Sequence, residues 1–430
     1  MIHKFPYYTV LISLSLPFFA SHFNIELHRI LLVFVSFIFV CWIIKKGDII
    51  VVNKYILFFY FIFTLLVIID MIIGRGLRTF SMSHSLIYIF IFFHIYILNN
   101  HKISAKILFN QSDIIFKIII IFLLIESLFL VTGNFNYLQK LFPVTGSSIV
   151  EGFRAYHNRF SDFYRLGFPG LNSLITGNQV ASNLALFSMV WFAPIYKFPP
   201  RKNSRIIWFI LSALLLLFSP TMSAIGLLLI AMFFLIFILS VSNIRKLNIF
   251  LPVIFVIILV GSWSIKFIFL PVISSQLIEG IDGFIWYKVG LLSPFQNYFS
   301  MTVKDMILGA QSEDYASRFF FNEIGTLRVA MNIGLPLIIL VSISSIISLI
   351  KSIRIASTDN LKKVNFSPQF HEYQTYVFLA QVNILIVLLW LFSTFHYLII
   401  FRLGAVQLIA FQFTVSVFSI YQSNKILKNI

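Results

Sequence analysis

Three arginines lie close together in one long segment between apolar runs, and their side chains suit the binding of an anion. Arg154, Arg159 and Arg165 alternate with His157, Tyr164 and other aromatic residues. A guanidinium group donates a planar fork of hydrogen bonds that matches phosphate and carboxylate oxygens. Aromatic rings can stack on sugar faces, so the segment indicates a site for a sugar-bearing phosphate. The alternative is an interfacial segment whose arginines and aromatic residues meet lipid headgroups.

A carboxylate in a second segment is suited to general base catalysis. Glu323 lies in FNEIGTLRVAMNIGLPLII, directly before an apolar run. A partly desolvated carboxylate at such a position can accept a proton from a sugar hydroxyl. Arg328 follows in the same segment. His396 and Arg402 flank a later turn in FSTFHYLIIFRLG. They are predicted to line one outer cavity together with Glu323, although an interfacial histidine is an equal alternative for His396.

The sequence contains no pattern typical of metal or nucleotide chemistry. There is no Asp-x-Asp, no histidine pair at ligand spacing and no glycine-rich phosphate loop followed by Lys-Ser/Thr. We therefore expect no metal and no cofactor. The single cysteine, Cys41, lies in an apolar run, so an intramolecular disulfide is excluded.

The composition is that of an integral membrane protein. Hydrophobic residues make up 59% of the chain and charged residues 11%, and the mean hydropathy is +0.95. The net charge of +17 would favour nucleic acid as a partner in a soluble protein. Here the basic residues lie mostly between apolar runs, where they act as topology signals and contact anionic lipids. Nucleic acid is therefore not an expected partner.

Apolar runs of roughly the length that crosses a bilayer recur along the chain and predict about twelve transmembrane helices. They are Tyr7–Ala20, Ile30–Ile44, Tyr55–Ile73, Met82–Leu98, Ile114–Val131, Val180–Tyr196, Ile206–Ser219, Ala224–Val241, Ile249–Phe267, Val329–Ile350, Tyr376–Phe395 and Ile399–Tyr421. The first is interpreted as an uncleaved helix rather than a signal peptide. The turn Pro220–Ser223 leaves a re-entrant pair as an alternative for the two runs beside it.

The distribution of basic residues predicts the orientation of these runs. Lysines and arginines concentrate in alternate connections, for example at Lys45 and Lys46, at Lys102 and Lys106, and from Lys197 to Arg205. In a bacterial inner membrane such connections lie in the cytoplasm. Both termini are then cytoplasmic, and the arginine segment lies on the periplasmic side.

Two connections on the periplasmic side are unusually long, at about 133–177 and about 268–328. Connections of this length are usually functional. Because no internal repeat or soluble domain is visible, we interpret residues 1–430 as a single membrane domain capped by these two loops. Within the runs, Asp70 and Glu126 are intramembrane carboxylates, which are functional hypotheses by default, although Asp70 is better explained by an ion pair with Arg75.

Three segments resemble the bacterial O-antigen polymerases, within the wider group of O-antigen ligase and polymerase membrane proteins. The first is Arg165-Leu-Gly-Phe-Pro-Gly with the stretch from Asn172 to Asn178. The second is FSPTMSAIGLLLIA, in which Ser223 matches but Ala224 replaces the family's arginine. In the third, Leu308-Gly309 and Gly334 match the spacing of the family's second large loop.

The resemblance implies a GT-C-like architecture, an all-α polytopic membrane glycosyltransferase. Its members join undecaprenyl-diphosphate-linked oligosaccharide repeat units on the periplasmic face by metal-independent inverting transfer. Arg165, with Arg154 or Arg159, would stabilise the diphosphate and Glu323 would act on the acceptor. The partners implied are the lipid-linked oligosaccharide, membrane lipids and, as a further possibility, a chain-length regulator.

Two other functions are compatible with parts of the pattern. The ligases of this group carry a histidine at a fixed spacing before the glycine of the second loop, and the same spacing from Gly334 places Glu323 at that position. This departure favours polymerase over ligase. A transporter of lipid-linked sugar also suits about twelve spans, but it predicts pseudo-symmetric halves and short external loops, which the sequence lacks.

Overall fold

The computed structural model describes residues 105–131, 178–198, 202–217, 223–240, 335–365 and 369–393, with single positions at 303, 306, 420, 423, 426 and 427. The regular elements in these ranges are all α-helices. They are α1 (Ala105–Val131), α2 (Asn178–Phe192), α3 (Lys202–Leu217), α4 (Ser223–Ser240), α5 (Leu335–Ala356), α6 (Thr358–Val364) and α7 (Phe370–Ser393).

Helix α7 is the centre of the described bundle. It packs against α5, α4, α1 and α2, and every side chain from Tyr376 to Leu389 is buried. The second half of α2, from Ala185 to Phe192, is equally buried and packs closely against α3. These two buried segments are mainly apolar, as is typical of helices that are covered by other helices on all sides.

Several helix ends meet at one end of the bundle. The Lys197 backbone N–H, just after α2, donates to Gln381 Oε1 of α7 at 2.8 Å. The Tyr373 hydroxyl of α7 donates to the carbonyl oxygen of Ile355 in α5 at 3.0 Å. Consequently the end of α5 lies beside the beginning of α7, and the segment after α2 contacts the middle of α7.

The connection between α2 and α3 turns through a strained residue. Phe198 has a φ angle of 58°, a left-handed conformation that is uncommon for residues other than glycine. Its ring packs edge-on against Phe370, at the start of α7, with 6.3 Å between ring centroids. This contact helps to hold the turn against α7.

The outward faces of the surrounding helices are apolar. On α1, exposed isoleucines at positions 114, 118, 121 and 125 follow the spacing of one helix face, and each is close to half exposed. The same is true of α3, α4 and α5, whose exposed residues are Ile207, Ile210, Leu214, Leu229, Phe233, Ile236, Ile339 and Ile343. The described bundle therefore has a buried centre and a largely apolar exterior.

Six of the predicted apolar runs coincide with described helices. The run Ala224–Val241 and α4 nearly share their bounds, whereas α1 begins well before the run Ile114–Val131, and α5 continues past Ile350 to Ala356. The first turns of α1 and the last turns of α5 lie outside the predicted runs because they contain polar residues. They are nevertheless helical, since backbone hydrogen bonds hold a helix whatever the polarity of its side chains. The other six runs lie outside the described residues, apart from one position at the end of the last run, so the count of twelve stays a prediction.

Among the described residues, one helix segment is long and apolar enough to cross a membrane, Phe370–Leu389 of α7. It is mostly buried inside the bundle, and the core helix of a soluble protein has the same properties.

Candidate functional site

The residues to which the sequence assigns a chemical role lie outside the described part of the chain. They are Arg154, His157, Arg159, Tyr164, Arg165, Glu323, Arg328, His396 and Arg402. Asp70 lies outside it as well, and Glu126 contributes its backbone to α1 but no described side chain. Their grouping around one periplasmic site stays a prediction.

The described residues contain a buried charged cluster where α1, α2 and α3 meet. Arg205 Nη1 donates to Asp113 Oδ1 at 3.2 Å, and Arg205 Nη2 donates to the backbone carbonyl oxygen of Trp191. The indole N–H of Trp191 donates to the same Asp113 oxygen at 3.3 Å. Only 2% of Arg205 is exposed. One carboxylate and one guanidinium thereby join three helices.

The position of Trp191 explains why this arginine is held there. Trp191 lies in the last turn of α2, where backbone carbonyl groups lack partners within the helix. A cation at the carboxyl end of a helix also interacts favourably with the helix dipole. Arg205, in the first turn of α3, supplies both the hydrogen bond and the charge.

A second cation shares the carboxylate. Lys117 Nζ lies 2.6 Å from Asp113 Oδ2, one helical turn along α1. The same ammonium group lies 5.7 Å from the centroid of the Trp208 ring of α3, within the range of a cation–π contact. We refer to Asp113, Lys117, Trp191 and Arg205 as the Asp113 cluster.

Aromatic rings enclose the guanidinium group. Its central carbon lies between 4.9 Å and 5.6 Å from four ring centroids, those of Phe378, Phe192, Phe109 and Trp191. Cation–π contacts of desolvated groups stabilise by about 2 kcal/mol or more. Phe378 belongs to α7, so the enclosure also ties the central helix to the charged cluster.

Enclosure changes the proton affinity of Arg205, which precedes the apolar run predicted from Ile206. Burial lowers the pKa of Arg205 to about 10, and the neighbouring Asp113 carboxylate and Tyr196 hydroxyl oppose this decrease. This value is still well above neutral pH. Arg205 is therefore charged at pH 7, and its interaction with Asp113 is ionic.

A neutral polar cluster joins α5 to α7. Asn383 Nδ2 donates to Ser348 Oγ at 2.7 Å and to Ser352 Oγ at 2.9 Å, and all three residues are buried. Asn383 Oδ1 has no hydrogen-bond partner in the described structure. The serines lie one turn apart on α5, so a single amide spans both. We call these three residues the Asn383 cluster.

Neither cluster has the features of a reaction centre. The Asp113 carboxylate accepts from two cations and an indole, so it is not poised as a general base. Within the described ranges, no group of three or more His, Cys, Asp or Glu side chains could hold a metal ion. The chemistry that these clusters support is the fixed positioning of helices.

Sequence reasoning did not anticipate the Asp113 cluster. It counted Arg205 among the basic residues of a connection, and it assigned no role to Asp113. The sequence contains two signals at this position. Asp113 lies four residues before Lys117, a spacing that suits an ion pair on a helix. Asp113 is also an acidic residue directly before an apolar run. The partner of Asp113 on α3 is far away in sequence, and neither signal identifies it.

Comparison with known proteins finds no matching protein-family model, no matching curated protein and no matching solved structure.

Proposed function

We propose that this protein is a polysaccharide polymerase of the inner membrane, which joins undecaprenyl-diphosphate-linked oligosaccharide repeat units on the periplasmic face. The observation that carries the proposal is the cluster of Arg154, Arg159 and Arg165 with aromatic residues in a long connection on the predicted periplasmic side. Positive charge is normally retained on the cytoplasmic side. Three arginines on the other side therefore suggest an anionic substrate.

The apolar exterior of the described helices supports the membrane part of the proposal. Large side chains on the outward faces of α1, α3, α4 and α5 are exposed, and Phe233 is 67% exposed. Soluble monomers rarely expose continuous apolar surface on this scale. In a membrane, lipid chains would cover these apolar faces and keep them out of contact with water, in agreement with the hydropathy of the whole chain.

The proposed reaction is an inverting glycosyl transfer. A hydroxyl oxygen of one repeat unit attacks the anomeric carbon of the growing chain and forms a new C–O bond. The bond from that carbon to the diphosphate oxygen breaks, and the lipid diphosphate leaves with both bonding electrons. Glu323 takes the proton of the attacking hydroxyl, and Arg165 stabilises the charge that develops on the diphosphate.

The remaining predicted residues have supporting roles in this proposal. Arg154 or Arg159 shares the diphosphate with Arg165, while His157 and Tyr164 contact sugar. Arg328, His396 and Arg402 are weaker contributors to the same cavity. No metal or cofactor takes part, since developing charge on the leaving group is balanced by guanidinium groups.

A cellular complementation test addresses the function and the two principal residues. In a polymerase-null strain that makes the matching repeat unit, the wild-type protein should restore a ladder of polysaccharide lengths on gels. Arg165→Ala and Glu323→Gln, expressed at equal levels, should give only single-repeat product. Arg165→Lys tests whether the planar fork is needed beyond the charge.

The outcomes separate function from site. Absence of a ladder with wild-type protein would contradict the polymerase function, and transfer of preformed polymer to lipid A–core without chain growth would favour a ligase. Full ladders from both variants would leave the function standing and remove Arg165 and Glu323 from the site.

A further inference from the structure

The Asp113 cluster carries more positive than negative charge. Two cations, Lys117 and Arg205, share the one carboxylate of Asp113. One formal positive charge is therefore left in excess in a largely buried setting. Such an excess is costly unless a further anion compensates for it.

Of the two cations, Lys117 is the one that an outside anion can reach. Arg205 is enclosed by four aromatic rings, and its side chain is 3% exposed, whereas the side chain of Lys117 is 23% exposed. Lys117 lies between α1 and α3, against the Trp208 ring. An ammonium group has three donors, so contact with Asp113 leaves capacity for an anion.

An apolar face of α1 extends from Lys117. Asp113 meets Arg205, and Lys117, further along α1, meets Trp208, further along α3. The two helices are therefore parallel. Beyond Lys117, α1 exposes Ile118, Ile121, Ile125 and Leu128, and the spacing of Lys117, Ile121, Ile125 and Leu128 places them on one face of the helix.

The dimensions match one leaflet of a membrane. At 1.5 Å per residue, the distance along α1 from Lys117 to Leu128 is about 16 Å. This is about half of the roughly 30 Å hydrocarbon thickness of a bilayer. A cation at one end of an apolar surface of this length has the shape of a site for an amphiphile with an anionic head.

We propose that the outward face of α1, beside its contact with α3, binds one anionic membrane phospholipid, with its phosphate on Lys117 and its acyl chains along the outward side chains of α1. The proposal uses the membrane location argued under Proposed function, but it does not depend on polymerase activity. In the predicted orientation this lipid belongs to the cytoplasmic leaflet, on the side opposite the proposed reaction.

The test is lipid binding by the full-length protein purified in detergent, measured by native mass spectrometry during titration. The probes are phosphatidylglycerol, zwitterionic phosphatidylcholine and inorganic phosphate. Wild-type protein should retain one phosphatidylglycerol with at least about tenfold preference over phosphatidylcholine, and inorganic phosphate should not displace it. Loss of a charge-assisted hydrogen bond in Lys117→Gln should lower the affinity for phosphatidylglycerol by about tenfold or more.

Two further variants make the result specific. Lys362→Gln removes the same charge from an exposed lysine of α6 and should leave binding unchanged, whereas Lys117→Arg should retain it. Equal retention of phosphatidylglycerol by Lys117→Gln and Lys362→Gln would overturn the proposal, as would displacement by inorganic phosphate. If Lys117→Gln does not elute as a folded protein, the headgroup preference of the wild-type protein tests the site instead. Equal binding of phosphatidylglycerol and phosphatidylcholine would then overturn the proposal.

Such a failure is distinguishable from failure of the proposed function. If the protein is a polymerase without this lipid site, wild-type protein still restores the polysaccharide ladder in the complementation test but does not prefer phosphatidylglycerol. A chain that is not a membrane protein would retain neither lipid.

Discussion

The Asp113 cluster and the Asn383 cluster solve the same problem, the burial of polar groups between helices, in different ways. The first buries charges and surrounds them with a helix carbonyl group, an indole N–H and four aromatic rings. The second uses one neutral amide and two hydroxyls, and it leaves Asn383 Oδ1 without a partner among the described residues. An unpartnered neutral acceptor costs far less than an unpartnered charge. Each cluster leaves one polar atom without a hydrogen-bond partner among the described residues, Arg205 Nε in the first and Asn383 Oδ1 in the second. The difference between the clusters therefore lies in the charges that only the first one buries.

The largest expected effect comes from removing the enclosed cation. Arg205→Leu leaves Asp113 with Lys117 alone and leaves the Trp191 carbonyl group without its donor. Breaking a buried ion pair from one side costs about 3–5 kcal/mol. We expect a loss of that size in the free energy of unfolding, measured in mixed detergent micelles. Wild-type stability in Arg205→Leu would show that the cluster does not hold the helices.

Removing both charges should be less harmful than removing one. In Asp113→Leu combined with Arg205→Leu, the one charge of the cluster left without its partner is Lys117, whose side chain is 23% exposed. Replacement of a buried pair by apolar residues is often neutral. The double variant should therefore lose under about 2 kcal/mol in the same titration. Additive losses from the two single substitutions would contradict an ionic coupling between them.

The neutral cluster should respond more weakly. Asn383→Leu has similar volume and removes both hydrogen bonds to α5, and the serine hydroxyls can turn to backbone carbonyls of their own helix. Interhelical hydrogen bonds of this kind contribute about 0.6 kcal/mol each on average. A loss of about 1 kcal/mol in the free energy of unfolding is expected. A loss equal to that of Arg205→Leu would abolish the distinction between the two clusters.

The smallest effect is expected at the rim of the charged cluster. Lys117→Gln removes a partly exposed cation, and Arg205 still compensates Asp113. Ion pairs with access to solvent contribute about 0–1 kcal/mol. The unfolding free energy should fall by less than about 1 kcal/mol, and Lys362→Gln serves as the matched exposed control. A fall of several kcal/mol would place Lys117 among the essential members of the cluster.

The sequence predicts helices well where apolar residues are continuous. The run Ala224–Val241 and α4 nearly coincide because the run is uniformly apolar and follows Pro220. It predicts the start of α1 poorly, since Asn110, Gln111, Ser112 and Asp113 are polar but remain helical. Hydropathy measures side-chain transfer, whereas a helix is held by backbone hydrogen bonds. Of these four side chains, the structure shows partners in neighbouring helices for Asp113.

The buried clusters show a different limit. The two sequence signals at Asp113 point to an ion pair with Lys117 on α1, but only the packing of α1, α2 and α3 brings Arg205 to Asp113. Likewise, nothing in the sequence pairs Asn383 with Ser348, and only the packing of α5 against α7 brings them together. The predicted periplasmic residues, among them Arg165 and Glu323, lie outside the described part of the chain, and their roles stay predictions.

The most direct test of the central claim is polymer formation by the purified protein in proteoliposomes supplied with the undecaprenyl-diphosphate-linked repeat unit, followed on gels over time. We predict a ladder of products from wild-type protein without added metal, and single-repeat product only from Arg165→Ala. A folded wild-type protein that forms no product longer than one repeat, or an Arg165→Ala variant with an undiminished ladder, would contradict the account.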